Sequence, residues 1–265
     1  MRTRTSSPRG ERRVTALIAA AGKGSRLGAS VPKAFVTLRE RSLVERSIVT
    51  MMTSGVVDEI VVLISPDMED YAARLLGRRG LLGGEVPVRL VHGGGERADS
   101  VWQGLRAIEA EEGVVLIHDS ARALTPPGLV ARVARAVLAG HPGVIPVLPV
   151  ADTIKRIDAP GGTAVVDTPA RDLLRAVQTP QGFDLAALRE ANRAYFAQEE
   201  RSFEATDDAS LMEWHGQPVV CVPGDPMALK ITTPIDMMLA RTIVDEAEPT
   251  VFEVPGCGAR EGERR

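Results

Sequence analysis

Cysteine and histidine, the side chains from which most metal centres and disulfide frameworks are built, are scarce in this sequence. Its 265 residues include two cysteines, Cys221 and Cys257, and four histidines. Two cysteines so far apart do not form a disulfide framework, and neither residue type shows the spacing of a metal site. The sequence therefore predicts no metal ligands, and a reducing cytoplasm is the expected location.

Long apolar stretches and an excess of one charge are also missing. No stretch approaches the roughly 18 apolar residues of a membrane span. The basic N-terminus leads into an apolar run that is too short for a signal peptide. The net charge is −3, which argues against a nucleic acid or a membrane surface as the partner. We therefore expect a soluble protein with neither kind of partner.

Lysine is rare among the basic residues. Lysine and arginine together number 32, but the lysines are only Lys23, Lys33, Lys155 and Lys230. Because arginine supplies the generic surface cations of this chain, the lysines are expected to be enriched where a compact point charge is needed.

What the sequence does contain is an alternation of apolar runs and helical patterns. Most runs are continuous, as in parallel strands covered on both faces. Strands are predicted at residues 14–21, 59–65, 88–92, 114–118, 144–150 and 219–222. Helix starts are predicted at Ser42 with Glu45, at Thr125 with Pro126, and at Thr233 with Pro234 and Asp236. This alternation predicts an α/β fold with a doubly wound, mostly parallel, Rossmann-like sheet.

One interval, at about residues 151–181, breaks this rhythm. It holds two short alternating pieces around a turn at residues 159–162, which predict a β-hairpin arm projecting from the sheet. Exposed apolar residues on such an arm need cover, so a homodimer formed through the arm is expected, with a hairpin folded back on its own domain as the alternative. We expect one domain at residues 14–246, flanked by disordered tails at 1–13 and 247–265.

The first predicted strand runs directly into a glycine-rich basic loop, "GKGSRLG" at residues 22–28. The third glycine is displaced by one residue from the dinucleotide-binding fingerprint, and the loop is not a Walker-type phosphate loop either. Its glycines still let backbone N–H groups approach an anion. Arg26 and Lys33 add cations, so a phosphate chain across the end of the strand fits better than a solvated turn.

The pattern A-A-G-x-G-x-R-x-G followed by Pro32 and Lys33 resembles the nucleotide-sugar pyrophosphorylase superfamily, which transfers nucleotidyl groups. Further motifs narrow the match: "GGGERADSVWQGL" (93–105), "HDSAR" (118–122), "DTIKR" (152–156), "RDLLRAVQTPQGF" (171–183), "TDDASLME" (206–213) and "LKITTPIDMMLA" (229–240). In this order they resemble the 2-C-methyl-D-erythritol 4-phosphate cytidylyltransferase family of the non-mevalonate isoprenoid pathway, over about residues 14–245.

The resemblance implies attack by the phosphate of methylerythritol phosphate on the α-phosphorus of CTP, with Mg²⁺ bound mainly through CTP phosphates. A phosphate monoester is already largely a dianion at neutral pH. It needs no general base, and the sequence shows no Ser/His/Asp or Cys/His arrangement. The implied catalytic residues are Arg26, Lys33 and Lys230. The implied CTP-binding residues are Ala20, Ala21, Gly22, Gly24, Gly94 and Ser100. The implied polyol-phosphate residues are Asp119, Arg122, Thr153, Arg171 and Thr179; Thr153, Arg171 and Thr179 match arm positions that act on the neighbouring subunit in the family.

Three positions depart from the usual family pattern: Ala123, Ala228 and Ile235. They put the local loop shape in doubt more than the reaction. The TDD cluster at residues 206–208 favours a helix cap with first-turn acids over a substrate role, and His118 favours packing or hydrogen bonding over catalysis.

Two other functions stay open. A ribitol 5-phosphate cytidylyltransferase would share the mechanism, and a non-catalytic nucleotide sensor would share only CTP binding. A dinucleotide-dependent oxidoreductase is disfavoured by the displaced glycine and by Lys33.

Overall fold

The computed structural model describes residues 12–22, 31–199 and 203–247. Within these residues the strands are β1 Val14–Ala19, β2 Thr37–Leu38, β3 Arg41–Ser42, β4 Glu59–Ile64, β5 Val88–His92, β6 Val114–Asp119, β7 Gly143–Pro149, β8 Arg156–Ile157, β9 Val165–Asp167, β10 Arg175–Val177, β11 Gln181–Asp184 and β12 Val219–Pro223. The α-helices are α1 Leu43–Thr53, α2 Glu69–Arg78, α3 Arg97–Ala107, α4 Pro127–Leu138, α5 Leu185–Phe196, α6 Asp208–Trp214 and α7 Pro234–Ala247.

Eight of these strands form the main sheet. From one edge the order is β5, β4, β1, β6, β11, β7 and β10, and β12 also pairs with β7. The pairs β1–β4, β1–β6, β4–β5 and β7–β12 are parallel. The expected α/β fold with a mostly parallel, doubly wound sheet is confirmed.

The core lies in two layers, one on each face of the sheet. Side chains of a strand alternate between faces, and the continuous apolar run of β1 divides in this way. Ile18 lies in the layer covered by α1, α2 and α4, while Leu17 lies in the layer covered by α3, α5 and α6. A third, smaller cluster packs α7 against Leu38 and Leu43. Helix α7 therefore packs on the β2–β3 hairpin and on the start of α1.

Two of the three predicted helix starts are confirmed. Ser42 and Glu45 form a capping box at α1, and the Asp236 carboxylate accepts hydrogen bonds from the backbone N–H groups of Thr232 and Thr233 at the start of α7. The third was wrong in detail. Pro126 is the N-cap of α4, and the Thr125 hydroxyl donates to the Arg122 carbonyl instead.

The predicted hairpin arm is present, but it is shorter than predicted. Strands β8 and β9 pair antiparallel and form an exposed two-stranded sheet. The chain then re-enters the main sheet, because β10 pairs antiparallel with β7, and β11 pairs antiparallel with both β6 and β7. Residues 178–181 are buried, so the end of the interval 151–181 belongs to the domain and not to the arm.

The predicted tails lie almost wholly outside the described residues. Of residues 1–13 the structure describes Arg12 and Arg13, and the Arg13 carbonyl accepts a hydrogen bond from the Val114 N–H. None of the helices in the described ranges combines the length and the apolar character needed to cross a membrane.

Gly104 lets α3 lie directly on the sheet. A Cβ at this position would stand 2.8 Å from Leu63 Cδ2 and 3.0 Å from Leu17 Cδ1, and both leucines are fully buried. We expect Gly104→Ala to lower the free energy of unfolding by about 1–3 kcal/mol, because overpacking outweighs the better helix propensity of alanine. Urea denaturation measures the change.

The matched control for this prediction is Gly77→Ala in α2, where a Cβ meets nothing within 4 Å. We expect this variant to gain up to about 1 kcal/mol of stability. Equal effects of the two substitutions would show that packing over Gly104 is not the constraint.

Candidate active site

A cleft opens at the carboxyl ends of β1 and β6, where ligands bind in open α/β sheets. Strand β1 ends at Ala19, two residues earlier than predicted, so that Ala20, Ala21 and Gly22 form the first wall. The cleft is lined by Ala19, Ala20, Ala21, Gly22, Lys33, Ala34, Gly94, Gly95, Glu96, Arg97, Ser100, Asp119, Ser120, Ala121 and Lys230. Eight residues of the predicted site therefore line one cleft: Ala20, Ala21, Gly22, Lys33, Gly94, Ser100, Asp119 and Lys230.

The glycine loop between β5 and α3 is held close to the first wall. The Ser100 hydroxyl accepts a hydrogen bond from Gly94 N at 3.0 Å and donates to the Glu96 carbonyl at 2.9 Å. A Cβ on Gly93 would stand 2.6 Å from Ser100 Oγ and 2.9 Å from Ala21 Cβ. Because no side chain fits between them, the two small-residue segments form a narrow slot that exposes backbone groups.

Asp119, the last residue of β6, lies between two cations. Lys230 Nζ is 2.7 Å from Asp119 Oδ2, and Arg97 Nε is 3.3 Å from Asp119 Oδ1. Arg97 also contacts Asp208, with 2.8 Å between Nη1 and Oδ2. Three separate elements, α3, α6 and the loop before α7, therefore bring their charges to the end of one strand.

The charges of this cluster stabilise one another. Although burial works against its charge, the Arg97 and Lys230 side chains hold the pKa of Asp119 well below its usual range. Burial also opposes the charge of Arg97, but Asp208 and Asp119 raise the pKa of its guanidinium above the usual value. Burial raises the pKa of Asp208, in spite of its contact with Arg97. At neutral pH the carboxylate of Asp119 is ionised.

Thr179 lies beneath Asp119 and not on the arm. Its Oγ1 accepts a hydrogen bond from Asp119 N at 3.0 Å and is 3.2 Å from His118 Nδ1. The expectation that Thr179 belongs to the projecting arm is therefore wrong, because its side chain is buried in its own domain. His118 is fully buried, and burial lowers the pKa of its imidazole to about 4. It is neutral at pH 7 and, as expected, serves hydrogen bonding and packing.

The loop that carries Lys230 is held by two side chains. Arg122 donates from Nη1 to the Ala228 carbonyl at 2.7 Å and from Nη2 to the Val177 carbonyl at 3.1 Å. Gln178 pairs through its amide with the backbone N–H and carbonyl of Asp225. Arg122 thus joins the loop to β10, and its binding of the polyol phosphate stays a prediction.

Two predicted site residues of the arm do not line this cleft. Thr153 and Arg171 lie on the exposed arm, where Arg171 donates to the Ala151 carbonyl. Gly24 and Arg26 fall outside the described residues.

The three departures from the family pattern occupy different surroundings. Ala123 and Ala228 are buried, whereas Ile235 is exposed on the first turn of α7. Neither of the two alanines is among the described residues that line the cleft.

Arg97 and Asp208 are functional candidates that the sequence reasoning missed. Arg97 is the first residue of α3, a position where a cation is unfavourable because the helix N-terminus carries partial positive charge. This misplaced charge was the available signal that Arg97 has a specific acidic partner. Asp208 was taken as a first-turn acid, and only the structure pairs it with Arg97.

The family model of 2-C-methyl-D-erythritol 4-phosphate cytidylyltransferase matches residues 14–246. The chain belongs to this family. It is thus a member of a nucleotidyltransferase family, as its motifs predicted. A Corynebacterium efficiens protein with the family's name is 69% identical over 245 residues, which cover 92% of this chain and 98% of that protein. A Rhodococcus jostii protein of the same name is 49% identical over 233 residues, covering 88% and 96% of the two chains.

Solved structures agree with the cytidylyltransferase assignment. The crystal structure of 2-C-methyl-D-erythritol 4-phosphate cytidylyltransferase from Thermus thermophilus is 34% identical, with a TM-score of 0.68, and the match covers 89% of this chain and 99% of that chain. The 4-diphosphocytidyl-2C-methyl-D-erythritol synthase of Anaerococcus prevotii is 29% identical with a TM-score of 0.75, covering 88% and 99%. The fold and the family therefore rest on both sequence and structure.

The hydroxyl of Thr179 is expected to stabilise the cleft through the Asp119 backbone. Thr179→Val keeps the shape of the side chain but leaves the buried Asp119 N–H without its acceptor. We expect the free energy of unfolding to fall by about 1–3 kcal/mol, as measured by urea denaturation.

Thr125→Val is the control, since Thr125 is equally buried and the Arg122 carbonyl still accepts the Thr125 N–H. Its cost should stay below about 1 kcal/mol. A Thr179→Val protein as stable as Thr125→Val would mean that the Asp119 N–H finds another acceptor.

Proposed function

We propose that this cytidylyltransferase transfers CMP from CTP to 2-C-methyl-D-erythritol 4-phosphate, giving 4-diphosphocytidyl-2-C-methyl-D-erythritol and pyrophosphate. The observation that carries the proposal is the cleft itself. Lys33, Arg97 and Lys230 gather around a narrow slot of small residues at the end of β1. Such a cleft suits a triphosphate whose base is bound through backbone groups.

The chemistry asks for positioning and for cations, because the attacking phosphate is already an anion. The phosphate oxygen of the polyol phosphate attacks the α-phosphorus of CTP, and the bond to the pyrophosphate oxygen breaks. Lys33, with Arg26 from the preceding loop, would neutralise the triphosphate and the five-coordinate α-phosphorus. Lys230, whose side chain is 45% exposed and whose ammonium contacts Asp119, would contact the attacking and transferred phosphates.

Recognition of the two substrates is divided between the walls of the cleft. Ala20, Ala21 and Gly22, with Gly94 and Ser100 opposite, would receive the cytidine through their backbone groups. Asp119 would bind the polyol hydroxyls. Gly24 is expected to add a backbone donor to the phosphates.

Mg²⁺ is the cofactor that this chemistry favours. The carboxylates that line the cleft are Asp119 and Glu96, and Asp119 already contacts Arg97 and Lys230. This donor set fits an ion that takes most of its ligands from phosphate oxygens and water. When bound, Mg²⁺ would neutralise phosphate charge and help pyrophosphate leave.

The arm is proposed to form a homodimer. Leu173, Val165 and Val166 are 84%, 58% and 55% exposed, and apolar groups at this exposure favour cover by a second copy. In such a dimer Thr153 and Arg171 would close the polyol-phosphate site of the partner. Location in the cytoplasm stays a prediction from the cysteine content.

We expect the purified protein to release pyrophosphate from CTP with Mg²⁺ and methylerythritol 4-phosphate, and not with ribitol 5-phosphate. An enzyme-coupled pyrophosphate assay measures the release. Release with ribitol 5-phosphate alone would replace the proposed acceptor, and CTP binding without any release would support a nucleotide sensor.

Lys33→Met tests one cation of the cleft in the same assay. The variant should fold normally by circular dichroism and lose roughly a hundredfold or more in kcat. An unchanged kcat would remove Lys33 from the mechanism.

Leu173→Asp tests the arm. A charge on the most exposed apolar residue of the arm should turn a dimer into a monomer by light scattering, and turnover should fall because each site loses the partner's Arg171. Unfolding of the monomer should change little, since Leu173 contacts solvent in the isolated chain. A monomeric wild-type protein with full activity would refute the arm's role.

A further inference from the structure

Asp208 carries a buried carboxylate that contacts Arg97, one of the residues that line the cleft. It is the first residue of α6 and is 4% exposed. Its Oδ2 is 2.8 Å from Arg97 Nη1. Asp208 is absent from the residues that line the cleft among those described, so it would act on a substrate only through Arg97.

Capping of α6 does not require Asp208. The preceding residue, Asp207, is the N-cap, and its Oδ1 accepts a hydrogen bond from Ser210 N at 2.8 Å. Asp207 Oδ2 accepts a second hydrogen bond from Gln181 Nε2 at 2.7 Å. The helix start is therefore complete without the Asp208 carboxylate.

Stability is also a weak reason for a charge at this position. Taking a carboxylate out of water costs several kcal/mol, and an apolar side chain of similar volume often serves stability as well or better. The buried charge of Asp208 therefore calls for another explanation, and its contact with Arg97 supplies one.

The contacts continue from Arg97 to the cleft. Through Nε, the same guanidinium contacts Oδ1 of Asp119, and Oδ2 of Asp119 contacts the ammonium of Lys230. A guanidinium is planar and rigid, so fixing one of its edges on Asp208 also fixes the direction of its Nε–H. The position of each group in this series limits the position of the next.

We propose that Asp208 is a positioning residue that sets the Lys230 ammonium through Arg97 and Asp119. Asp208 holds Arg97, Arg97 holds one oxygen of the Asp119 carboxylate, and the other oxygen is thereby aimed at Lys230. The catalytic consequence of this arrangement depends on the proposed cytidylyl transfer, whereas the arrangement itself does not.

Asp208→Asn tests the proposal, because asparagine keeps the size of the side chain and removes its charge. We expect kcat for pyrophosphate release to fall about ten- to hundredfold, as misplacement of a reacting contact does. The Kd for CTP alone, measured by calorimetry, should change by less than about threefold, because the slot residues Ala20, Ala21 and Ser100 are unaltered.

Asp207→Asn is the matched control at the same helix start. Asparagine is as good an N-cap as aspartate and still accepts the Ser210 N–H through Oδ1. The hydrogen bond from Gln181 Nε2 is lost, but neither Asp207 nor Gln181 is among the described residues that line the cleft, so kcat should stay within about twofold of wild type. Equal losses of kcat in the two variants would show that Asp208 acts only through the stability of α6, and would overturn the proposal.

A double substitution tests whether Asp208 acts through Arg97. Residues that work as one unit give non-additive effects, so Asp208→Asn should add little to the kcat loss of Arg97→Gln. Additive losses would separate Asp208 from Arg97 and would overturn the proposal.

The position of Lys230 can also be measured by NMR, without any turnover of substrate. The chain has four lysines, so a protein labelled with ¹³C-lysine gives few ε-methylene NMR signals, and Lys230→Arg identifies the signal of Lys230. That signal should shift in Asp208→Asn and in Arg97→Gln, and should stay in place in Asp207→Asn.

A Lys230 signal that does not move in Asp208→Asn overturns the proposal, whatever the activity. The Lys230 signal could also move in Asp208→Asn while the wild-type protein releases no pyrophosphate. That result would refute the proposed function and leave the positioning of Lys230 standing. The two failures are therefore distinguishable.

Discussion

The ion pairs of Asp119 are the interactions on which the cleft depends. A buried carboxylate is costly unless its oxygens and its surroundings are satisfied, and here Oδ1 contacts Arg97, Oδ2 contacts Lys230, and the backbone N–H donates to Thr179. These three partners come from α3, from the loop before α7 and from the segment before β11. The fold must bring all three to the end of β6 at once, and a shift of any of them would leave a carboxylate oxygen or a buried N–H without its partner.

This constraint explains why the cleft keeps an acidic residue where it is proposed to bind anions. Three cations, Lys33, Arg97 and Lys230, line the cleft and would repel one another if nothing negative stood between them. Asp119 contacts both Arg97 and Lys230 and holds them at the end of β6. Preorganised charges of this kind need no rearrangement at the moment of reaction, which is the main source of electrostatic catalysis. Because the Lys230 side chain remains half exposed, the proposed contact with an incoming phosphate would use an ammonium that Asp119 already holds in place.

Most of the fold could be predicted from the sequence, because buried parallel strands and capped helices have local signals. The run that became β4, for example, needs only its apolar residues and its length. Strand β11 had no such signal. Its four residues, Gln181–Asp184, include a glycine and two polar residues, and they become a strand only because β6 and β7 lie on either side of them. Tertiary pairing of this kind overrides local propensity.

The candidate site likewise has residues that could be predicted from the sequence and residues that could not. The glycines and lysines of the cleft could be found from motifs, since close backbone approach and point charges demand particular residue types. The partners of those residues could not. Arg97 and Asp208 are 111 positions apart in the chain, and no spacing rule connects them. Thr179 was found through its motif but was assigned to the arm instead of the domain interior, because the boundary of the arm is set by sheet pairing.

Residues 178–181 contact the elements that carry Asp119, Lys230 and Asp208. Gln178 holds the backbone at Asp225, five residues before Lys230; Thr179 holds Asp119. Gln181 accepts from Ala209 N and donates to Asp207, at the start of the helix that carries Asp208. All three side chains are buried and lie within four residues of one another, directly after β10, which pairs with β7. The segment that follows the arm interval into the sheet is therefore the same segment that contacts the elements carrying Asp119 and Lys230, which is why the interior of the domain, and not the arm, claims residues 178–181.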